Sequence, residues 1–99
     1  MKTTQQVLTS LGFAEGGGMG GDYWLKDIGK SRFGNTREIV LKVNDGTLGI
    51  IGKPMSDMAV SITLPHEGEL LGTERAEGDE PITAESLEDF CQSIIQRWS

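Results

Sequence analysis

The sequence has little of the chemistry on which disulfide scaffolds, zinc sites and histidine-dependent catalysis depend. It contains one cysteine, Cys91, and one histidine, His66. A single cysteine cannot form an internal disulfide, so the sequence does not point to an oxidising compartment. A single histidine excludes the H-E-x-x-H zinc motif, and we interpret His66-Glu67 as surface residues near a strand end. We therefore expect no metal site and no cofactor.

Long apolar runs are also absent. The segment that begins at Met1 has no apolar stretch that could serve as a signal peptide, and no later run approaches the length of a membrane-spanning helix. We expect a cytoplasmic protein that does not enter a membrane. Its 99 residues are enough for one modest core, so residues 1–99 are predicted to form a single domain.

The motifs of the common enzyme classes are missing as well. The chain has no G-x-S-x-G sequence and no cysteine–histidine pair with an acid placed to orient it. Cys91 falls within an apolar helical stripe, which favours burial over a nucleophilic role. The sequence therefore predicts a protein that is not an enzyme.

Glycine, by contrast, is concentrated in one tract. Gly16, Gly18 and Gly21 match the text of G-x-G-x-x-G. The phosphate-binding form of that motif needs a strand before the glycines and a helix after them, whereas here a helix precedes and a strand follows. We therefore interpret the tract as a flexible connector. A small-ligand or nucleotide binder that uses the loop between Gly16 and Gly21 is the alternative.

Both ends of the chain carry helix signals. Thr3 and Gln6 fit a capping box for a helix over residues 3–11, and Gly12 suits the position after its last turn. A second helix is predicted over residues 83–98, with Thr83 as its N-cap and Ile82 packed on Leu87. Its apolar side chains recur at helical spacing and predict a buried stripe: Leu87, Phe90, Cys91, Ile94, Ile95 and Trp98.

The centre of the fold is predicted to be a β-hairpin over residues 37–52. Asp45-Gly46 accepts positive φ at both central positions of a tight turn, which favours a two-residue loop. That loop would pair Val43 with Leu48 and Leu41 with Ile50. It would place one apolar surface on the hairpin: Ile39, Leu41, Val43, Leu48 and Ile50.

Four strands, at residues 22–28, 37–44, 47–52 and 58–64, are predicted to form an antiparallel meander. The fold class is α+β in the order α-β-β-β-β-α, with both helices packed on one face of the sheet. Leu70-Leu71 would give a short edge strand or a plug. The other face would carry Val40, Ile51 and one of the pair Tyr23 and Trp24. Exposed residues of this kind predict a partner or dimer surface, with Tyr23 and Trp24 as candidate aromatic contacts.

The formal charge of −6 is unevenly distributed. Residues 1–56 carry seven basic and five acidic side chains, whereas residues 57–99 carry two basic and ten acidic ones. A basic stretch at residues 26–42 is too weak, in so acidic a protein, for us to expect direct nucleic-acid binding. The acidic half instead predicts a patch that binds a basic protein partner: Glu67, Glu69, Glu77, Asp79 and Glu80. A face that only keeps the protein soluble is the alternative.

In size and charge the chain is similar to small acidic inhibitors of phages and bacteria, such as toxin-immunity proteins and anti-CRISPR proteins. That resemblance implies carboxylates presented to a surface that evolved to hold nucleic acid. The function predicted from the sequence is therefore a small acidic protein-interaction module that inhibits a basic or nucleic-acid-handling bacterial protein. A structural homodimer remains a further alternative.

Overall fold

A five-stranded antiparallel sheet and two helices make up the fold in the computed structural model, which describes residues 3–16, 23–30, 36–43, 50–64 and 68–98. The strands lie in sequential order, β1-β2-β3-β4-β5. The predicted α+β class is confirmed, with five strands in place of four. The elements are α1 (Thr4–Ser10), β1 (Ala14–Gly16), β2 (Tyr23–Lys30), β3 (Thr36–Val43), a 3₁₀ turn (Met55–Asp57), β4 (Met58–Leu64), β5 (Glu69–Arg75) and α2 (Ala84–Trp98).

Helix α1 begins and ends at the predicted signals. The amide of Gln6 donates to the Thr3 hydroxyl at 3.2 Å, and the Gln6 side-chain oxygen accepts from the Thr3 amide at 2.9 Å. Gly12 adopts a φ of 91°, and the amide of Phe13 donates to the carbonyl of Leu8 at 2.9 Å. Both ends of the helix are therefore satisfied by local hydrogen bonds, as the capping box predicted.

Helix α2 has a reciprocal cap of the same kind. The Thr83 hydroxyl accepts from the amide of Ser86 at 3.1 Å, and the Ser86 hydroxyl accepts from the amide of Thr83 at 2.8 Å. Thr83 is thus confirmed as the N-cap. The predicted stripe is buried along its centre, at Leu87, Cys91 and Ile94. Phe90 was expected to be buried too, but it is only half-buried because it packs at the margin of the core.

The core lies between the helices and one face of the sheet. Trp24 of β2 is opposite Leu41 of β3, and Leu41 is opposite Val60 of β4, so the three residues share that face. Both helices pack their buried side chains against it, including Leu8 of α1 and Leu87 of α2. Neither helix of the described ranges is long and apolar enough to cross a membrane.

The predicted hairpin of residues 37–52 is wrong where the structure describes it. Leu41 has Trp24 on one side and Val60 on the other, so Ile50 cannot pair with it. The strand that follows β3 in the sheet is β4, and residues 50–52 form a turn. Asp45-Gly46 and Leu48 lie outside the described residues.

Ile50 is nevertheless buried, because a residue of α1 holds its backbone in the core. The hydroxyl of Thr4 accepts from the amides of Ile50 at 3.1 Å and Ile51 at 3.0 Å. An apolar pattern indicates that side chains are buried, but it does not indicate how the backbone is hydrogen-bonded. Residues 50–52 were predicted as part of a strand for this reason. The prediction that Ile51 lies on the opposite sheet face is also wrong, because residue 51 belongs to a turn and not to a strand.

Candidate protein-interaction surface

One face of the sheet carries neither helix, and we call it the open face. Side chains alternate between the two faces of a strand, so the residues between core positions point to this side. The register aligns them in rows across the strands. The first row is Asp27, Glu38, Thr63 and Leu70; the middle row is Leu25, Val40, Ser61 and Thr73; the third row includes Tyr23, Ala59 and Arg75.

A shallow depression of about 420 Å³ lies on the open face. Leu25, Val40 and Leu70 supply its apolar floor, and Glu38 also lines it. Glu69 borders the depression at its edge, but it is opposite the buried Leu64 and so belongs to the helix-covered face. Leu25 and Val40 are half-buried, and Leu70 is 59% exposed. The depression therefore combines apolar surface open to a partner with negative charge beside it.

Gly16 of β1 leaves space for two side chains of β2 on the open face. A Cβ atom added at Gly16 would come within 2.6 Å of the Tyr23 ring and 2.8 Å of a Leu25 methyl group. Real Cβ atoms do not approach other atoms so closely, so any larger residue would displace one of these side chains. The lack of a side chain at Gly16 thus leaves room for Tyr23 and Leu25 on this surface.

The two predicted aromatic contacts lie on opposite faces of β2. Tyr23 is on the open face and half-buried, in agreement with the prediction that one of the pair lies there. Trp24 is only 3% exposed and belongs to the core, where it lies opposite Leu41. The prediction of Trp24 as a contact residue is therefore wrong. Adjacent residues of a strand point to opposite faces, so Tyr23 and Trp24 cannot both lie on the open face.

The structure separates the predicted acidic patch into two parts. Glu69 is the first residue of β5, whereas Glu77, Asp79 and Glu80 follow the last residue of that strand. A strand rises about 3.3 Å per residue, so roughly 20 Å separates the two parts. All four side chains are exposed, and Glu67 lies outside the described residues.

The loop that carries Glu77, Asp79 and Glu80 is bound along its backbone to residues 52–56. The amide of Met55 donates to the carbonyl of Glu80, and the amide of Ser56 donates to the carbonyl of Gly78, each at 2.9 Å. Gly52 and Lys53 exchange two further bonds of 2.8 Å with Ile82. The three carboxylates thus project from a loop with a defined backbone.

The basic stretch of residues 26–42 does not form one exposed strip where it is described. Lys26 is half-buried, and its ammonium group lies against Gly12. Arg37 is also half-buried, and its guanidinium donates to the carbonyl of Ile28 at 3.3 Å. Arg32 lies outside the described residues.

The remaining candidate sites offer little reactive chemistry where the structure describes them. Burial raises the pKa of the Cys91 thiol to about 12, so the thiol stays protonated at neutral pH. No group of three metal-ligating side chains occurs among the residues that the structure describes. His66 and residues 17–21 of the glycine tract lie outside them. Comparison with protein-family models, with curated proteins and with solved structures found no match to this chain.

Proposed function

We propose that this protein is a small, non-enzymatic protein-interaction module that binds a basic protein partner through its open face. The observation that carries the proposal is the depression with the apolar floor of Leu25, Val40 and Leu70 on the side without helices. An apolar centre with a polar margin is the usual composition of a protein–protein interface. A partner that covers this face removes apolar area from water, which favours binding.

The negative charge of the surface favours a basic partner. Glu38 lines the depression, and Asp27 lies beside Glu38 in the first row. We therefore propose a partner segment that has an apolar side chain next to lysine or arginine. The loop of Glu77, Asp79 and Glu80 is exposed at the other end of β5, where its charge attracts a basic surface during approach.

The cellular role that fits these properties is inhibition in the bacterial cytoplasm. A protein that handles nucleic acid has a basic surface for phosphate groups, and a carboxylate-bearing module competes for that surface. The net charge of −6 and the small size support this role. We accordingly propose a phage or bacterial inhibitor of a nucleic-acid-handling protein, with no direct contact between the inhibitor and nucleic acid.

A capture experiment with two matched baits tests the proposal. Leu70→Lys removes part of the floor and adds a positive charge, while Gln96→Lys makes the same charge change at an exposed position of α2. A true partner in a bacterial lysate binds the wild-type and Gln96→Lys baits and is lost from the Leu70→Lys bait. The purified partner should bind this protein more weakly as salt is raised. The nucleic acid that the partner normally holds should compete with this protein for it.

Partners that bind all three baits equally would overturn the use of the open face. The nucleotide-binding alternative has a separate test, because a ligand that binds only the folded state raises the melting temperature. We expect no shift with ATP, NAD or FAD. A saturable shift of several degrees would replace the interaction module with a small-ligand binder.

A further inference from the structure

The two edges of the sheet differ in how well they are protected from pairing with another chain. Short strands, proline and lysine are common devices for that protection. β1 is three residues long, whereas β5 is seven residues long and contains neither proline nor lysine. A bulge interrupts β5 only at Leu71, so residues 72–75 pair regularly with β4. On its outer side β5 has no neighbouring strand among the described residues, which leaves this edge open.

The register shows which backbone groups of β5 point outward. The amide of Ala76 donates to the carbonyl of Met58 at 3.1 Å, so these two opposite residues form a hydrogen-bonded pair. Bonded and non-bonded pairs alternate along an antiparallel ladder, which makes Glu74 the next residue bonded to β4. Thr73 and Arg75 then belong to the non-bonded pairs. Their amides and carbonyls therefore point away from β4, toward the free edge.

The acidic loop, residues 77–80, continues the line of β5. Its backbone is bonded to residues 55 and 56, and Pro54 and Pro81 form an antiparallel bridge just beyond it. The loop therefore lies beside the segment that leads into β4, as β5 lies beside β4 itself. Leu70 near the start of β5 and the exposed carboxylates of the loop thus lie along one edge, roughly 20 Å apart.

We infer that the basic partner binds by adding an extended segment to the outer edge of β5, as a sixth strand of the sheet. The inference rests on the proposed function, because it explains how one partner reaches both the floor residue Leu70 and the acidic loop. A single side chain cannot span that distance, whereas about six to eight extended residues do so. Strand addition gains affinity from main-chain hydrogen bonds and specificity from alternate side chains.

The side chains along the edge define the sequence of the added segment. Leu70 is 59% exposed and ends the first row, so an apolar residue belongs beside it. Thr73 and Arg75 end the other two rows, and uncharged polar residues belong beside them, since a lysine there would be repelled by Arg75. Lysine or arginine follows past Arg75, where the acidic loop supplies carboxylates.

Hydrogen exchange measured by NMR on the pure protein tests the inference with a synthetic peptide. The probe is Lys-Lys-Lys-Thr-Val-Thr-Val-Val, which runs antiparallel to β5 with its lysines beside the acidic loop. In the free protein the amides of Thr73 and Arg75 should exchange fast and that of Glu74 slowly. Saturating peptide should slow the exchange of Thr73 and Arg75 about tenfold or more. A peptide that leaves both amides unprotected overturns the inference.

A matched pair of variants shows whether the backbone of β5 makes the contact. Thr73→Pro removes one outward amide and leaves the bonds to β4 intact, so it should weaken peptide binding about tenfold or more. Thr73→Val keeps the amide and should bind like the wild type. Equal affinity of the two variants overturns strand addition. Methylation of the two threonine nitrogens of the peptide removes the matching donors without changing the protein, and undiminished binding of that peptide does the same.

The lysate capture separates this inference from the proposed function. A partner that is lost from the Leu70→Lys bait but retained by a Thr73→Pro bait overturns strand addition and leaves the open face in use. Partners that bind all baits equally overturn the proposed function, while protection of Thr73 and Arg75 by the peptide would still support strand addition. Sedimentation velocity provides the last test. A wild type that self-associates while Thr73→Pro stays monomeric would assign the edge to a second copy of this chain and overturn the proposed occupant.

Discussion

The indole N–H of Trp98 donates a hydrogen bond of 2.7 Å to Oε2 of Glu74, and the guanidinium of Arg97 lies 2.7 Å from Oε1 of the same carboxylate. The Trp98 ring also lies over Gly72, where an added Cβ would come within 2.8 Å of a ring carbon. The last turn of α2 is thus fixed to β5. Because β5 supplies Leu70 and Arg75, this contact supports one side of the open face.

Substitutions at Glu74 should separate the hydrogen bond from the ion pair. Glu74→Ala leaves the partly buried indole N–H without its acceptor and should cost about 1–3 kcal/mol of unfolding free energy. Glu74→Gln keeps an acceptor oxygen and should cost less. Arg97 is 57% exposed, so Arg97→Ala should cost at most about 1 kcal/mol. Urea unfolding measures all three, and equal losses for Glu74→Gln and Glu74→Ala would contradict this account.

Thr4 should matter for stability because its hydroxyl accepts from two amides that are distant in sequence. Thr4→Val removes the acceptor from the amides of Ile50 and Ile51 and should cost about 2–4 kcal/mol. Thr4→Ser retains the oxygen and should recover most of that loss. Thr9→Val, at an exposed position of α1, is the matched control. If both valine variants unfold at the same urea concentration, the hydroxyl contributes nothing.

The stripe of α2 should show graded sensitivity. Leu87 is fully buried, so Leu87→Ala should cost about 2–5 kcal/mol. Phe90 is only half-buried, so Phe90→Ala should cost roughly half of the 3–5 kcal/mol that is typical of a buried phenylalanine. Chemical unfolding of the two variants tests the order. A larger loss at Phe90 than at Leu87 would place the core further along the helix than the structure does.

Alkaline pH should weaken the fold through Cys91. The buried thiol has its pKa raised from 9.0 to about 12, so the unfolded chain loses this proton at lower pH than the folded one. Its contribution to stability is complete below about pH 9 and declines as pH rises toward 12. Cys91→Val should unfold with a shallower dependence on pH over that interval. Equal slopes for the two proteins would contradict the shift.

The acidic loop should set the rate at which a basic partner binds. Replacement of Glu77, Asp79 and Glu80 by lysine should slow association severalfold or more at low salt, and the effect should shrink as salt is raised. Stopped-flow mixing with the captured partner measures this. The control makes the same charge change at three positions on α2: Glu85, Glu88 and Asp89. Identical association rates for the loop variant and the wild type would leave the loop with solubility as its only role.

Local signals in the sequence were sufficient for the parts of the fold that local contacts determine. The capping box of Thr3 and Gln6 uses residues three positions apart, and the stripe of α2 repeats along one helix. Both were predicted with nearly correct boundaries. The strand prediction is wrong at residues 50–52 for a different reason, because the hydroxyl of Thr4 binds the amide of Ile50 from 46 positions away. The three-residue strand β1 is too short to give a pattern of its own.

The open face could be predicted only in outline. Val40 and one aromatic residue of β2 were expected there, and Tyr23 proved to be that residue. Leu25 and Leu70 were not singled out, because their meeting depends on the register of β2, β3, β4 and β5. A one-residue change in register reverses which face each side chain occupies. The separation of Glu69 from Glu77, Asp79 and Glu80 likewise depends on the length of β5. The sequence predicted only a short edge strand at Leu70-Leu71 and gave no length for it.

The bonds that hold the acidic loop have a consequence for the folding order of the chain. Residues 50–56 contact α1 through Thr4 and the loop through Gly52, Met55 and Ser56, so segments from the beginning, middle and end of the sequence meet at one corner. Contacts so far apart in sequence carry a large loop-closure cost, which is recovered only when all of them form together. We therefore expect the carboxylates of the loop to gain their fixed arrangement only when these segments meet. A chain that lacks α1 would carry the same charges on a loop whose supporting segment, residues 50–56, has lost its bonds to Thr4.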